Sequence, residues 1–199
     1  MQIELKKTRV SLTFPFAAVV MLMLLLCDSE TVFISLFSSL FHEGGHLFFM
    51  LLFGQMPSLV CFGAFGIRIE RADRKLISAK KEAFVALGGI MGNCLLFICG
   101  FAFWFLYNSI WAAKLMAVNF FIAAFNMLPV RLLDFGRCLE IMLSDSFDVN
   151  TAEKILTWIS VFVSVIIFIG CVLYNIFIGV NVSLIAVSIY VITLANLKE

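Results

Sequence analysis

The chain has only two histidines, His42 and His46, and Glu43 stands between them in the sequence H-E-G-G-H. Residues four apart lie on one face of a helix, so both imidazoles can bind one metal ion while the glutamate reaches a water molecule beside it. This spacing is the one that zinc-dependent hydrolysis requires, with Glu43 as the general base. We therefore predict one Zn²⁺ ion per chain, bound through His42 and His46.

The surroundings of this motif strengthen the prediction. His42, Glu43 and His46 are the only ionisable groups in residues 31–53, an otherwise apolar run. Each ionisable group inside a membrane costs at least about 2.5–3.5 kcal/mol, and a bound cation compensates for that cost. The alternative is a polar contact between helices, in which backbone carbonyls accept hydrogen bonds from the histidines. Gly44 and Gly45 fit either a close approach of substrate backbone to the metal or plain helix packing.

A third ligand is needed, because a catalytic zinc ion usually has three protein ligands and leaves the fourth position to water. With no further histidine, and no cysteine at a suitable spacing, the third ligand has to be acidic. Asp134 stands apart from the other acidic residues because Pro129 interrupts an apolar run before it and Gly136 follows it. A broken helix that lines a cavity is where irregular backbone is tolerated in a membrane. Asp134 is therefore the predicted third ligand, and a cytoplasmic helix cap is the alternative.

The composition decides the class of protein that carries these residues. Hydrophobic residues make up 63% of the 199 residues and charged residues 14%, against about 45–50% and about 25% in a soluble domain. A soluble globular protein is therefore excluded. The net charge of +1 offers no basic face, so we expect the lipid bilayer and no nucleic acid as a partner.

Apolar runs predict about six transmembrane helices, each of about 20 residues. The first two cover residues 10–27 and 31–53, the third and fourth occupy residues 83–130 and turn near Tyr107, and the last two cover 155–177 and 181–197. Twelve of the fourteen basic residues fall in the N-terminal segment and in the loops 54–82 and 131–154. Because short cytoplasmic loops carry the excess of Lys and Arg, both termini are expected in the cytoplasm.

The loop after the second span has strand character. Residues 59–65 are apolar and interrupted by Gly63, and residues 67–71 alternate with period two. This predicts a short membrane-associated strand or hairpin that holds a substrate by edge pairing, with an amphipathic linker as the alternative. The predicted fold class is an all-α polytopic membrane protein of about six transmembrane helices with this one small β element.

The motifs taken together carry a family resemblance. H-E-x-G-H in an early membrane helix, followed by N-x-x-P…L-D-x-G-R at residues 126–137, resembles the site-2 protease family of intramembrane zinc metalloproteases. The six-span layout is most similar to the group that includes the stage IV sporulation protein FB. The resemblance implies that His42, His46 and Asp134 bind zinc and that Glu43 is the general base.

A further asparagine is assigned through the resemblance alone. The family has a Gly-Pro-x-x-Asn stretch that corresponds to residues 89–93, which implies a substrate-binding role for Asn93. Ile90 stands where proline is usual, and Phe135 stands where glycine is common. Separately, Asn119 and Asn126 are seven residues apart and share a helix face, where they either line a cavity or bond neighbouring helices.

These residues predict an intramembrane zinc metalloprotease that cleaves membrane-anchored substrates in or near their transmembrane segments, as in regulated intramembrane proteolysis. We expect one membrane-embedded domain over residues 1–199 with its core at 31–140, and no PDZ or cytoplasmic regulatory domain. The expected partner is a membrane protein or membrane-associated peptide, and the resemblance implies a bacterial plasma membrane.

Two other classes of function remain open. One is a non-proteolytic zinc-binding membrane protein, either a transporter or an inactive protease relative. The intact Glu43 argues against an inactive relative, and a single zinc position without further polar steps argues against transport. The other is a structural helix bundle that binds no metal.

Overall fold

The computed structural model of the chain describes residues 2–5, 8–63, 66–71 and 77–196. Seven helices and four strands occur in these ranges. Four basic residues on which the predicted orientation partly depends (Lys6, Lys7, Arg74 and Lys75) lie outside the described residues, as do positions 64–65 and 197. In chain order the elements are β1 (Gln2–Leu5), β2 (Thr8–Leu12), α1 (Phe14–Leu26), α2 (Ser29–Leu52), β3 (Pro57–Gly63), β4 (Gly66–Arg71), α3 (Ala79–Tyr107), α4 (Ile110–Asn126), α5 (Asp134–Ser146), α6 (Val149–Phe177) and α7 (Val182–Asn196).

The described residues are mostly helical, and the β element is larger than the one short strand or hairpin that was predicted, because four strands form one sheet in the order β1-β2-β3-β4. β2 lies antiparallel to β1 and parallel to β3, and β3 lies antiparallel to β4. β3 and β4 occupy the segment with strand character, and their association with a membrane stays a prediction. Residues 10–12 of the predicted first span belong to β2, so α1 begins only at Phe14. Pro15 lies in the first turn of α1, where no backbone N–H is needed.

Several helices have the length and surface of membrane helices. Among the described helices, α3 and α6 are long and apolar enough to cross a bilayer, and α1, α4 and α7 are apolar but shorter. Large apolar side chains such as Phe105 and Phe177 are 75% and 80% exposed, as expected where lipid replaces water. These features indicate a membrane protein, and the number of six spans stays a prediction.

The chain divides into two compact units, residues 1–124 and 125–199. In the first unit the backbones of α2 and α3 touch, because a side chain on Gly45 would overlap the Gly88 carbonyl group, and one on Gly88 would overlap the Gly45 carbonyl group. Buried residues recur on α2 at Ile34, Ser38 and His42, a spacing of four that directs one stripe inward. The helix ends at Leu52 and the chain turns at Gly54, whose φ of 73° favours glycine.

The second unit holds the segment around Pro129. Val130 and Leu133 pack with residues of α7 in the core of this unit. The backbone N–H of Arg131 donates to Ser160 Oγ at 3.1 Å, and that hydroxyl donates to the Pro129 carbonyl at 3.3 Å. A side chain at Gly136 would overlap the Val130 carbonyl group, so glycine lets this segment lie against the start of α5. These contacts fix the backbone that leads into Asp134.

Candidate metal centre

The two histidines of the H-E-x-x-H motif face each other on α2. Their Nε2 atoms are 3.3 Å apart, and the rings are nearly perpendicular with an interplanar angle of 82°. His42 is 7% exposed and His46 is half-buried. The expected placement of both imidazoles on one helix face is confirmed.

The remaining ring nitrogen of each histidine has an oxygen partner on α3. His46 Nδ1 lies 2.7 Å from the Val85 carbonyl oxygen, and His42 Nδ1 lies 2.5 Å from Asn93 Oδ1. An oxygen of either kind can only accept, so each Nδ1 carries the hydrogen and donates it. In the neutral rings each Nε2 therefore carries no hydrogen. Metal-binding histidines are usually held in this way through their second nitrogen.

The separation of the two Nε2 atoms matches a tetrahedral zinc site. Zn–N distances of about 2.0–2.1 Å at the tetrahedral angle place two ligand nitrogens about 3.3–3.4 Å apart. The observed distance is 3.3 Å. The donor set and its spacing therefore fit a bound Zn²⁺ ion.

α3 leaves room for the two rings by means of Gly89. A Cβ atom at this position would lie 2.5 Å from Nε2 of both His42 and His46. The close contact of Gly45 with Gly88, one residue earlier on α3, brings the helix to this distance. Gly45 thus serves helix packing, whereas a Cβ atom on Gly44 would meet nothing within 4 Å.

Asp134 is the first residue of α5, and Leu133 rather than Asp134 occupies the N-cap position. A carboxylate in the first turn is favoured by the helix dipole. His42 and His46 lie in the first unit and Asp134 lies in the second, and the role of Asp134 as the third ligand stays a prediction. Glu43, the predicted base, is half-buried on α2 directly after His42.

The polar residues behind His42 were only partly predicted. Asn93, Asn119 and Ser38 are fully buried and hydrogen-bonded to one another. For Asn119 this is the interhelical bonding that the sequence left open beside cavity lining. Ser38 was not predicted at all, although its position four residues before His42 on the same helix face was a signal. Substrate binding by Asn93 stays a prediction.

Comparison with known proteins identifies a solved structure with a similar fold. No protein-family model matches the chain, and no curated protein sequence matches it. Among solved structures, a site-2 protease from Methanocaldococcus jannaschii is similar, with a TM-score of 0.71 and 18% sequence identity. The match covers 100% of this chain and 96% of that chain. The chain therefore has the fold of a site-2 protease.

Proposed function

We propose that this protein is an intramembrane zinc metalloprotease of the site-2 type, with zinc bound by His42, His46 and Asp134. The observation that carries the proposal is the 3.3 Å separation of the two histidine Nε2 atoms, whose rings both donate through Nδ1. A structural contact between helices needs only one bonded nitrogen per ring. It does not account for a second pair of nitrogens facing each other at the spacing of zinc ligands.

Each residue then has a defined role. When bound, a zinc ion would act as a Lewis acid and lower the pKa of a water molecule toward about 7. The two histidines and Asp134 hold the ion. The Glu43 carboxylate accepts a proton from the attacking water and delivers it to the nitrogen of the leaving amine. The peptide to be cleaved has to be extended, because a helix keeps its amides in its own hydrogen bonds.

The sheet offers a place to hold such an extended peptide. β3 has neighbours on both sides, whereas β4 is an edge strand of the described sheet. An edge strand can pair with one further strand through backbone hydrogen bonds. We propose that the substrate, a membrane protein or membrane-associated peptide, adds to β4, and that Asn93 contributes to substrate binding as the resemblance implies.

The proposal also includes the number of membrane spans, the side on which the termini lie, the subgroup and the cellular membrane. The apolar runs support six transmembrane helices, and the distribution of basic residues supports cytoplasmic termini. The compact layout supports a place in the group that includes the stage IV sporulation protein FB, in a bacterial plasma membrane and in regulated intramembrane proteolysis.

The first experiment measures the zinc content of the purified protein in detergent. We expect about one zinc ion per chain, with loss of zinc in His46→Ala and in Asp134→Ala. Asp145→Ala is the matched control, because Asp145 is an exposed aspartate near the other end of α5 and should leave the zinc content unchanged. A folded parent protein that stays zinc-free after zinc supplementation would contradict the proposal.

The second experiment separates a protease from a non-proteolytic zinc protein. The protein is co-expressed with single-span reporter proteins that carry glycine or proline within the span, and their cleavage is followed. Glu43→Gln should keep its zinc and lose cleavage by at least about 100-fold, because the general base is removed. Glu30→Gln makes the same chemical change at an exposed position on α2 and should cleave normally. Full cleavage by Glu43→Gln would exclude Glu43 as the base.

A further inference from the structure

A chain of buried amides connects the backbone of α4 to His42. Ser38 on α2, Asn93 on α3 and Asn119 on α4 are each 0% exposed. Asn119 Nδ2 donates to the Leu115 carbonyl and to Ser38 Oγ, at 2.8 and 2.9 Å. Asn93 Nδ2 donates to Asn119 Oδ1 at 2.8 Å and to the Ser38 carbonyl at 3.4 Å, and Asn93 Oδ1 lies 2.5 Å from His42 Nδ1. The bonds thus form one continuous path.

The Leu115 carbonyl at one end sets the direction of the bonds in this path, and the Ser38 backbone carbonyl supports the same orientation of Asn93. The Leu115 carbonyl can only accept, so Asn119 must present its NH₂ group to it and its oxygen to Asn93. Asn93 must then present its own NH₂ group to Asn119 and its oxygen to His42. His42 has to donate through Nδ1, which leaves Nε2 without a hydrogen.

We propose that Asn119 is a positioning residue that acts through Asn93 to fix the tautomer and ring orientation of His42. Its NH₂ group bonds Leu115 and Ser38, and its oxygen bonds Asn93, which in turn contacts His42. The proposal deepens the proposed function and rests on it in one respect, since the selected tautomer is the one that can bind a metal ion through Nε2.

His46 also carries its hydrogen on Nδ1, but a different acceptor holds it there. His46 therefore serves as an internal control. Its Nδ1 donates to the Val85 backbone carbonyl, which no substitution in the amide path removes. A change at Asn119 should therefore affect the ring of His42 and leave the ring of His46 unchanged. A variant that merely loosens the helix packing would affect both rings.

The test uses long-range proton–nitrogen NMR spectra of the full-length, metal-free protein with isotope-labelled histidine in detergent. The chain has only two histidines, so each signal can be assigned through His46→Ala. When both rings are neutral, each should carry hydrogen on Nδ1. In Asn119→Leu, His42 should show a mixture of the two tautomers, and His46 should keep its hydrogen on Nδ1.

Zinc affinity, measured by competition with a chelator, gives a second readout. Asn119→Leu should weaken binding about two- to tenfold, the worth of one buried hydrogen bond. Asn93→Leu removes the direct acceptor and should weaken binding about 10- to 100-fold. Asn93→Asp keeps an acceptor for His42 but loses the two bonds that Asn93 donates, so it should restore only part of the affinity. Ser38→Ala should weaken binding more than Ser164→Ala, a buried serine of α6 that donates to the Ser160 carbonyl.

The outcomes separate this proposal from the proposed function. Hydrogen on Nε2 of His42 in the parent protein, or unchanged His42 tautomer and zinc affinity in Asn119→Leu, would overturn the positioning role even if the protein cleaves its reporters. The expected tautomers in a protein that cleaves no reporter would support the positioning role and count against the protease.

Discussion

The middle of α2 and its N-terminal end both carry polar groups, but the two regions hold them differently. At the N-terminal end, Asp28 and Glu30 are exposed and accept hydrogen bonds from the Lys114 ammonium group at 2.9 and 2.6 Å. In the middle, Ser38 and His42 are buried and bonded to uncharged amides. The charged groups at the N-terminal end form ion pairs. The polar groups in the middle form buried hydrogen bonds that depend on how closely the helices pack.

This difference predicts how each region responds to change. Exposed ion pairs contribute little, because water and salt screen them and long side chains lose freedom when they pair. Buried hydrogen bonds between two helices in contact allow only one arrangement of these helices. An added methyl group there overlaps its neighbours, because a protein interior is closely packed. The middle of α2 should therefore be sensitive to shape, and its N-terminal end to pH and salt.

Gly45→Ala should have the largest effect. The new Cβ would overlap the Gly88 carbonyl group, which is backbone and cannot move aside without separating α2 from α3. We expect a loss of about 3 kcal/mol in the free energy of unfolding and loss of bound zinc. Thermal unfolding in detergent and zinc analysis measure the two effects.

Gly44→Ala is the matched control for this change. Its Cβ would meet nothing within 4 Å, and alanine is a better helix former than glycine by about 0.5–1 kcal/mol. It should leave the protein equally or more stable. Equal stability of the two variants would show that the contact between α2 and α3 is not tight.

Gly89→Ala should come next and should affect the site rather than the fold. The new Cβ would lie 2.5 Å from Nε2 of both histidines, and the rings can swing away because they are side-chain ends. Zinc affinity should fall by about 100-fold or more, and the free energy of unfolding should fall by about 1–2 kcal/mol, because the displaced rings lose their Nδ1 hydrogen bonds. Gly170→Ala on α6, where a Cβ meets nothing within 4 Å, should change neither quantity by as much.

How much the sequence could predict differs between these regions. Local signals placed the motif on α2 and the break between α3 and α4, since α3 ends at Tyr107 and Asn108 adopts a φ of 46°. The end of α6 at Phe177 and the start of α7 at Val182 also agree with the predicted spans 155–177 and 181–197. Apolar run length and turn residues depend only on neighbours in the chain, so one sequence is enough to find them.

What the sequence could not predict depends on distant contacts. The parallel pairing of β2 with β3 joins residues about fifty positions apart, and no local pattern specifies it. The path from Asn119 to His42 needs three helices in one register. The residue types show that these helices carry polar side chains, but they do not show which side chain bonds to which.

The smallest effect concerns the N-terminal end of α2. The hydrogen bond from Lys114, together with the Thr31 backbone N–H, lowers the pKa of Asp28 from 3.8 to about 2. A lowered folded-state pKa means that this contribution to stability is present above about pH 4 and is lost as the pH falls toward 2. Asp28→Asn should therefore lower the melting temperature slightly at neutral pH, and the difference from the parent should vanish near pH 2.

Salt distinguishes the ion pair at this position from the helix cap. Asp148 also caps a helix, and the Thr151 hydroxyl and N–H lower its pKa. Since asparagine is as good a cap as aspartate, Asp148→Asn should depend little on salt. The effect of Asp28→Asn should shrink as salt screens the pair with Lys114. Equal salt dependence in the two variants would mean that capping alone stabilises this end of α2, and that its charges matter no more than those in the buried middle.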